Sequence, residues 1–165
     1  MRIILILLVL SQCSIKNELS EWETIFNGKN LDGWTVKVKG YPSGDNFGNT
    51  FKVVDEAIQV SYENYDNFDF KFGHIYYTEK KYKNYHLKLE YKFFGNQAIG
   101  GEGWATKNSG IMFHSQHPET MLIDQSFPVS LEAQFLGGLG DGKRPTGNLC
   151  TCLLYTSPSP RDTSS

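Results

Sequence analysis

Hydrophobic and polar residues alternate along several short segments of the chain, and this alternation predicts β-strands. The clearest segments are residues 85–93, 108–114 and 129–135. In each of them, apolar side chains at every second position would face one side, and polar side chains would face the other. Such a pattern is typical of antiparallel strands with one buried face. No segment shows a helical period over ten or more residues.

Further short strands are predicted on both sides of a turn within residues 51–60, and over residues 73–78. The connections are rich in glycine, of which the chain has 16, and one such loop, residues 95–107, carries Trp104. Short alternating strands joined by glycine-rich turns predict an all-β domain, either a β-sandwich or a jelly roll.

Polar residues recur on one face of the three alternating strands. They are His86, Lys88 and Glu90 on the first strand, Asn108 and His114 on the second, and Glu132 and Gln134 on the third. If these strands share a sheet, carboxylates, imidazoles, an ammonium group and amides converge on one surface. That set could supply acid–base catalysis, anion stabilisation and recognition of sugar hydroxyls. The alternative is a solvated outer face, because every exposed antiparallel face alternates in this way.

Composition and charge exclude several classes of protein. The 165 residues suffice for one domain, and 39% of them are hydrophobic, which excludes a disordered chain. The net charge is −2, with basic and acidic residues mixed, so we expect no nucleic-acid partner and no polybasic membrane patch. The histidines and cysteines lack zinc-type spacing, and His74 and His117 are more typical of surface or turn positions.

The N-terminus is typical of an export signal. Arg2 precedes an unbroken apolar run over residues 3–10, which is too short to span a bilayer. The run ends at a sequence that resembles a bacterial lipobox, so we expect residues 1–13 to form a signal with lipidation at Cys13 and residues 14–20 to form a tether. We therefore expect an exported protein, periplasmic or held at the outer membrane by its lipid. The alternative is an ordinary cleaved signal, since Gln12 stands where lipoboxes have a small residue.

The C-terminus has a different origin from the domain in our interpretation. Residues 152–162 resemble the in-frame translation of a transposase-type sequencing adapter, so we expect residues 152–165 to be an artefact and native sequence to stop near Thr151. The alternative is a genuine tail rich in serine and proline. On the first interpretation, residues 21–151 are a partial domain with unpaired strand edges, and we expect poor solubility.

Five segments together resemble the DUF1080 family, the 3-keto-disaccharide hydrolase domain. They are residues 26–34 (FNGKNLDGW), 82–91, 108–114 (NSGIMFH), 132–134 (EAQ) and 146–148 (TGN). The resemblance extends over residues 22–151 and implies a concanavalin A-like jelly roll of two antiparallel sheets, here incomplete at its C-terminus. It also implies a glycoside or oligosaccharide substrate that has been oxidised to a ketone at sugar carbon 3.

The chemistry implied by this resemblance assigns roles to the polar face. A base removes the proton on carbon 2, the enolate expels the group on carbon 1, and water adds back. Glu132 or His114 is the candidate base, and Lys88 is the candidate enolate stabiliser. The candidate substrate-binding residues are Asn108, Gln134, His86 and Trp104.

Three alternatives remain open from the sequence. The cofactor is unknown, and a divalent metal ion held by Glu and His could stabilise the enolate in place of Lys88. A two-carboxylate glycosidase could use Glu90 together with Glu132. The domain could also be a non-catalytic carbohydrate-binding, lectin-like module, because fold alone does not separate a binder from an enzyme.

Overall fold

The computed structural model describes residues 22–154, which contain seven strands and three single-turn 3₁₀ helices. The strands are β1 (Trp34–Val38), β2 (Phe51–Val54), β3 (Ala57–Val60), β4 (Gly73–Tyr77), β5 (Asn108–Phe113), β6 (Ser130–Leu136) and β7 (Asn148–Cys152). The 3₁₀ helices are Phe47–Asn49, Gly103–Ala105 and Pro118–Thr120. The predicted all-β class is confirmed. Within this part of the chain, no helix is long and apolar enough to cross a membrane.

The predicted signal, the lipidation at Cys13 and the tether lie outside the described residues. So do residues 155–165 of the segment that we interpret as adapter sequence. These interpretations therefore stay predictions. Residues 152–154 are described, and Cys152 is the last residue of β7.

All strand pairs are antiparallel and form three small sheets: β1 with β4, β2 with β3, and β5–β6–β7 in that order. The predicted turn within residues 51–60 is the β2–β3 hairpin. Its two central residues, Asp55 and Glu56, both have positive φ, of 49° and 59°. Two left-handed residues match the twist of the flanking strands, so the hairpin closes with a two-residue loop.

The hydrophobic core lies on one face of β1 and β4. Val36 and Val38 are buried together with Phe51 of β2, and Leu31, Tyr41, Phe47, Ile58 and Ile75 pack against them. Gly73 stands opposite Val38 in the ladder, and a Cβ at that position would lie 3.2 Å from the Phe51 ring. The glycine therefore allows β4 and the hairpin to approach closely.

The opposite face of β1 and β4 carries polar groups that a loop covers. Lys37 is 2% exposed, and its Nζ donates to the carbonyls of Val38 (2.9 Å) and Ile123 (3.0 Å). Burial lowers the pKa of Lys37. His74 pairs with Lys37 in the ladder and packs edge-on against the Phe127 ring at 5.7 Å. The prediction of His74 as a surface or turn residue is therefore wrong.

Residues 85–93 do not form the predicted strand. The segment pairs with none of the described strands, and its apolar side chains Tyr85, Leu87, Leu89 and Tyr91 are between 42% and 52% exposed. Alternation specifies two faces of a strand but supplies no partner for its backbone groups, and a strand requires both. The segment still touches β6, because the Tyr91 ring stacks on the Phe135 ring at 4.2 Å.

We expect stability to fall on acidification because of His74. Burial, and secondarily the Lys37 charge, lower the pKa of His74 to about 4. Between about pH 6.5 and pH 4 the unfolded chain therefore takes up a proton that the folded protein does not. The loss on moving from pH 7 to pH 4 is at most about 3 kcal/mol. Urea unfolding at several pH values should show this slope in the wild type and a flatter one in His74→Phe.

The matched control for this experiment is His117→Gln, which removes an exposed histidine of the covering loop. It should retain the wild-type slope. A His74→Phe variant that keeps the full wild-type loss between pH 6.5 and pH 4 would contradict the prediction.

Candidate functional site

The register of β5, β6 and β7 assembles the candidate site. Gln134 stands opposite Gly110 and Asn148, and Glu132 stands opposite Met112 and Cys150. Directly opposed residues in an antiparallel ladder share one face of the sheet. Asn108, Glu132, Gln134 and Asn148 therefore lie on the same side. We call this set the amide face, after its three amides. The sequence predicted three of its four members.

The three amides form a chain of hydrogen bonds across the sheet. Asn148 Nδ2 donates to Gln134 Oε1 (3.2 Å), and Gln134 Nε2 donates to Asn108 Oδ1 (3.3 Å). Asn108 Nδ2 in turn donates to the carbonyl of Trp104 (3.2 Å). These bonds fix the orientation of each amide, yet each carboxamide nitrogen has a second N–H. Fixed, partly unused amide donors are suited to recognising sugar hydroxyls.

Glu132 is half-buried beside the amides. Burial raises the pKa of its carboxyl, and a hydrogen bond from Cys152 Sγ (3.6 Å) to Oε2 opposes that effect. The carboxyl occupies space that a side chain at Gly110 would need, since a Cβ there would lie 2.7 Å from Glu132 Cγ. A carboxylate with a raised pKa is a stronger base when ionised, so Glu132 is suited to proton abstraction near neutral pH.

His114 does not join Glu132, contrary to the prediction that they share a face. Its φ of 51° is left-handed and interrupts the alternation after Phe113. Phe113 pairs with Leu131, but the next backbone bond runs from Gln116 N to the Val129 carbonyl, so β5 carries one extra residue. Such a bulge redirects the side chain at that point.

His114 instead lines a groove on the other face of β5, with a volume of about 590 Å³. The apolar side chains of Ile111, Phe113 and Ala133 also line the groove, and so does His86 of the segment 85–93. His86 and His114 are thus brought together, but on the side of the sheet away from Glu132.

Lys88 and Glu90 are also not brought to the amide face. Both are exposed within residues 85–93, and neither makes a side-chain hydrogen bond or ion pair to any described residue. Their predicted place depended on that segment pairing as a strand with β5 or β6, which it does not do. The geometry therefore gives no support to Lys88 as an enolate stabiliser or to Glu90 as a second carboxylate.

Trp104 stands at the edge of the amide face. It belongs to the 3₁₀ helix Gly103–Ala105, and its side chain is 53% exposed. Its ring stacks on Phe72 at 5.6 Å with an interplanar angle of 26°. An exposed indole supported from beneath offers a platform for the apolar face of a sugar. The predicted substrate-binding residues Trp104, Asn108 and Gln134 are thus neighbours.

Two residues of this region were not predicted from the sequence to belong to the site. Asn148 lies in segment 146–148, one of the five segments that carry the family resemblance. No strand was predicted there, so the face of the sheet on which Asn148 lies could not be assigned. Arg144 lies in the glycine-rich loop between β6 and β7, and its guanidinium donates to backbone carbonyls around Trp104. Only its basic character was visible in the sequence.

A metal ion held by Glu and His was one alternative left open by the sequence, and Glu132 and His114 do not come together to hold one. In residues 22–154, no three His, Cys, Asp or Glu side chains gather closely enough to hold a metal ion. Glu132 and His114 lie on opposite faces of β5–β6, and so the donor set does not fit the group.

The comparisons with known proteins give one match. A family model described as 3-keto-alpha-glucoside-1,2-lyase-like domain matches residues 21–164, and this agrees with the family resemblance in the sequence. The family match and the antiparallel all-β architecture are both consistent with a concanavalin A-like β-sandwich domain. No curated protein and no solved structure is significantly similar to the chain.

We expect Gly110→Ala to disturb the site directly. The new methyl group would collide with Glu132 and would lie 2.8 Å from the backbone oxygen of Ala133, which cannot move without breaking the ladder. Overpacking of this kind costs about 1–3 kcal/mol. Urea unfolding should show that loss. Gly138→Ala is the control, because its Cβ would meet no atom within 4 Å. Equal stability of both variants would contradict the prediction.

Proposed function

The chain belongs to the family of 3-keto-alpha-glucoside-1,2-lyase-like domains, and we propose that it cleaves the glycosidic bond of 3-keto-glycosides. Membership supports a function on glycosides; the substrate and the mechanism are our proposal. The observation that carries the proposal is the half-buried Glu132 carboxyl with its raised pKa, next to three oriented amides. A base and fixed hydrogen-bond donors are the groups that this reaction needs.

The first step is abstraction of the proton on carbon 2, which the neighbouring ketone acidifies. Glu132 takes this proton, and the electron pair of the C–H bond forms an enolate whose negative charge lies on the carbon 3 oxygen. The enolate then re-forms the ketone and expels the oxygen on carbon 1, which leaves a double bond between carbons 1 and 2. The expelled oxygen takes up the proton that Glu132 carries, and this restores the carboxylate. Addition of one water across the resulting double bond gives the 3-keto sugar, so the net reaction is hydrolysis.

The remaining residues of the amide face bind and orient the sugar. The second N–H groups of Asn108, Gln134 and Asn148 are donors for hydroxyls and for the enolate oxygen. Trp104 supplies an apolar platform beside them. Donors already fixed by the amide chain need little reorganisation when charge develops on the substrate.

A second function has one observation in its favour. The exposed, stacked ring of Trp104 is a feature that a non-catalytic carbohydrate-binding module would also require. The distinction lies at Glu132, because a binder has no need of a desolvated carboxyl. A lectin-like module has no turnover to lose, so removal of the Glu132 carboxyl would only weaken sugar binding.

The test is release of the aglycone from a 3-keto-glucoside by wild type, Glu132→Gln and Glu90→Gln. We expect Glu132→Gln to lower kcat by roughly 10²–10⁴, the usual contribution of a general base. Glu90→Gln should match the wild type. Equal losses in both variants would favour a two-carboxylate glycosidase, and unchanged turnover in Glu132→Gln would overturn the assignment of the base.

Two further measurements separate the remaining mechanisms. In D₂O, proton abstraction predicts deuterium at carbon 2 of the product, whereas direct hydrolysis predicts none. A chelator should leave turnover unchanged if no metal ion participates, and a loss restored by a divalent metal ion would bring metal chemistry into the reaction. Sugar binding without any turnover would favour the lectin-like function.

A further inference from the structure

Arg144 joins two loops that flank the amide face. It lies between β6 and β7, and its guanidinium donates from Nη1 to the carbonyls of Thr106 and Gly137 (3.2 Å), and from Nη2 to that of Trp104 (3.1 Å). The planar guanidinium has five N–H donors in a fixed fork, so one side chain can satisfy three carbonyls at once. A lysine has the same charge but lacks this geometry.

The Trp104 carbonyl is shared between Arg144 and the amide face. It accepts from Arg144 Nη2 at 3.1 Å and from Asn108 Nδ2 at 3.2 Å. The hydrogen bond of Asn108 is the last in the chain of amides that begins at Asn148. The position of this one carbonyl therefore determines both where the indole stands and how the end of the amide chain is oriented.

Within residues 22–154, two other hydrogen bonds join these loops. Gly137 N donates to the Lys107 carbonyl (2.8 Å), and the exposed Lys107 Nζ donates to the Gly138 carbonyl (3.3 Å). The segment from Gly137 to Asn148 contains five glycines, whose backbone has more freedom to lose than that of other residues. Ordering such a loop needs a strong anchor, and the partly buried Arg144 is placed to provide it.

We propose that Arg144 is a positioning residue for sugar recognition, which holds Trp104 and Asn108 in the arrangement that receives the substrate. This proposal rests on the proposed function. Arg144 acts through the Trp104 carbonyl and does not touch the sugar. Glu132 is held separately, by β6 and by the space above Gly110. Loss of Arg144 therefore affects substrate binding more than the proton transfer.

The first experiment compares KM and kcat for a 3-keto-glucoside in wild type, Arg144→Ala, Arg144→Lys and Lys143→Ala. Lys143 is the adjacent, exposed cation of the same loop and is the matched control. We expect Arg144→Ala to raise KM roughly tenfold, with kcat within about threefold of the wild type. Arg144→Lys should stay impaired, and added methylguanidinium should lower the KM of Arg144→Ala. An unchanged KM, or a fall in kcat alone, would overturn the proposal.

The second experiment does not depend on the reaction. Hydrogen exchange of the amides of Ala105, Thr106 and Gly137, which are all hydrogen-bonded, should accelerate in Arg144→Ala but not in Lys143→Ala. Unchanged exchange in Arg144→Ala would show that Arg144 does not anchor these loops and would overturn the proposal, whatever the activity. Faster exchange in a protein whose wild type shows no turnover would instead overturn the proposed function, while the anchoring of the two loops by Arg144 would stand.

Discussion

The antiparallel register of β5, β6 and β7 is the constraint on which the candidate site depends. Side chains of a strand alternate with a period of two, so a shift of one residue would send an entire set of side chains to the other face. The observed register places Gln134 between Gly110 and Asn148, and this allows three amides from three segments to bond in sequence. It also sets Glu132 over Gly110, the residue type that leaves room for a carboxyl.

Burial of polar groups has two different outcomes in this fold. The amides of the amide face satisfy one another, so their partial burial costs little and their orientation becomes fixed. Among the residues that the structure describes, only the weak Cys152 thiol donates to Glu132, and burial therefore raises the pKa of its carboxyl. The same desolvation acts on His74 and Lys37 beneath their covering loop, where it lowers both pKa values. An imperfectly satisfied carboxyl reduces stability and increases basicity together.

Strands and loops hold different parts of the candidate site, because strands are stiffer than loops. The sheet holds the Glu132 carboxyl and the amides within a rigid ladder, whereas the indole of Trp104 comes from a loop that side chains must anchor. Phe72 supports the ring from β4's side, and Arg144 fixes its backbone from the β6–β7 loop. In the proposed function, binding and chemistry are thereby supported by different contacts, which makes them separable by mutation.

The sequence alone determined the strand class, the β2–β3 hairpin, the strands β4, β5 and β6, and the shared face of Glu132 and Gln134. These follow from local alternation, because residues two apart in a strand always share a face. The family was likewise visible from five short motifs in order. Only tertiary structure decided that Asn108 joins the face of Glu132 and Gln134, and whether residues 85–93 find a partner. It also decided where the bulge sends His114 and which carbonyls Arg144 meets. Those outcomes depend on contacts between segments far apart in the chain, which no local pattern records.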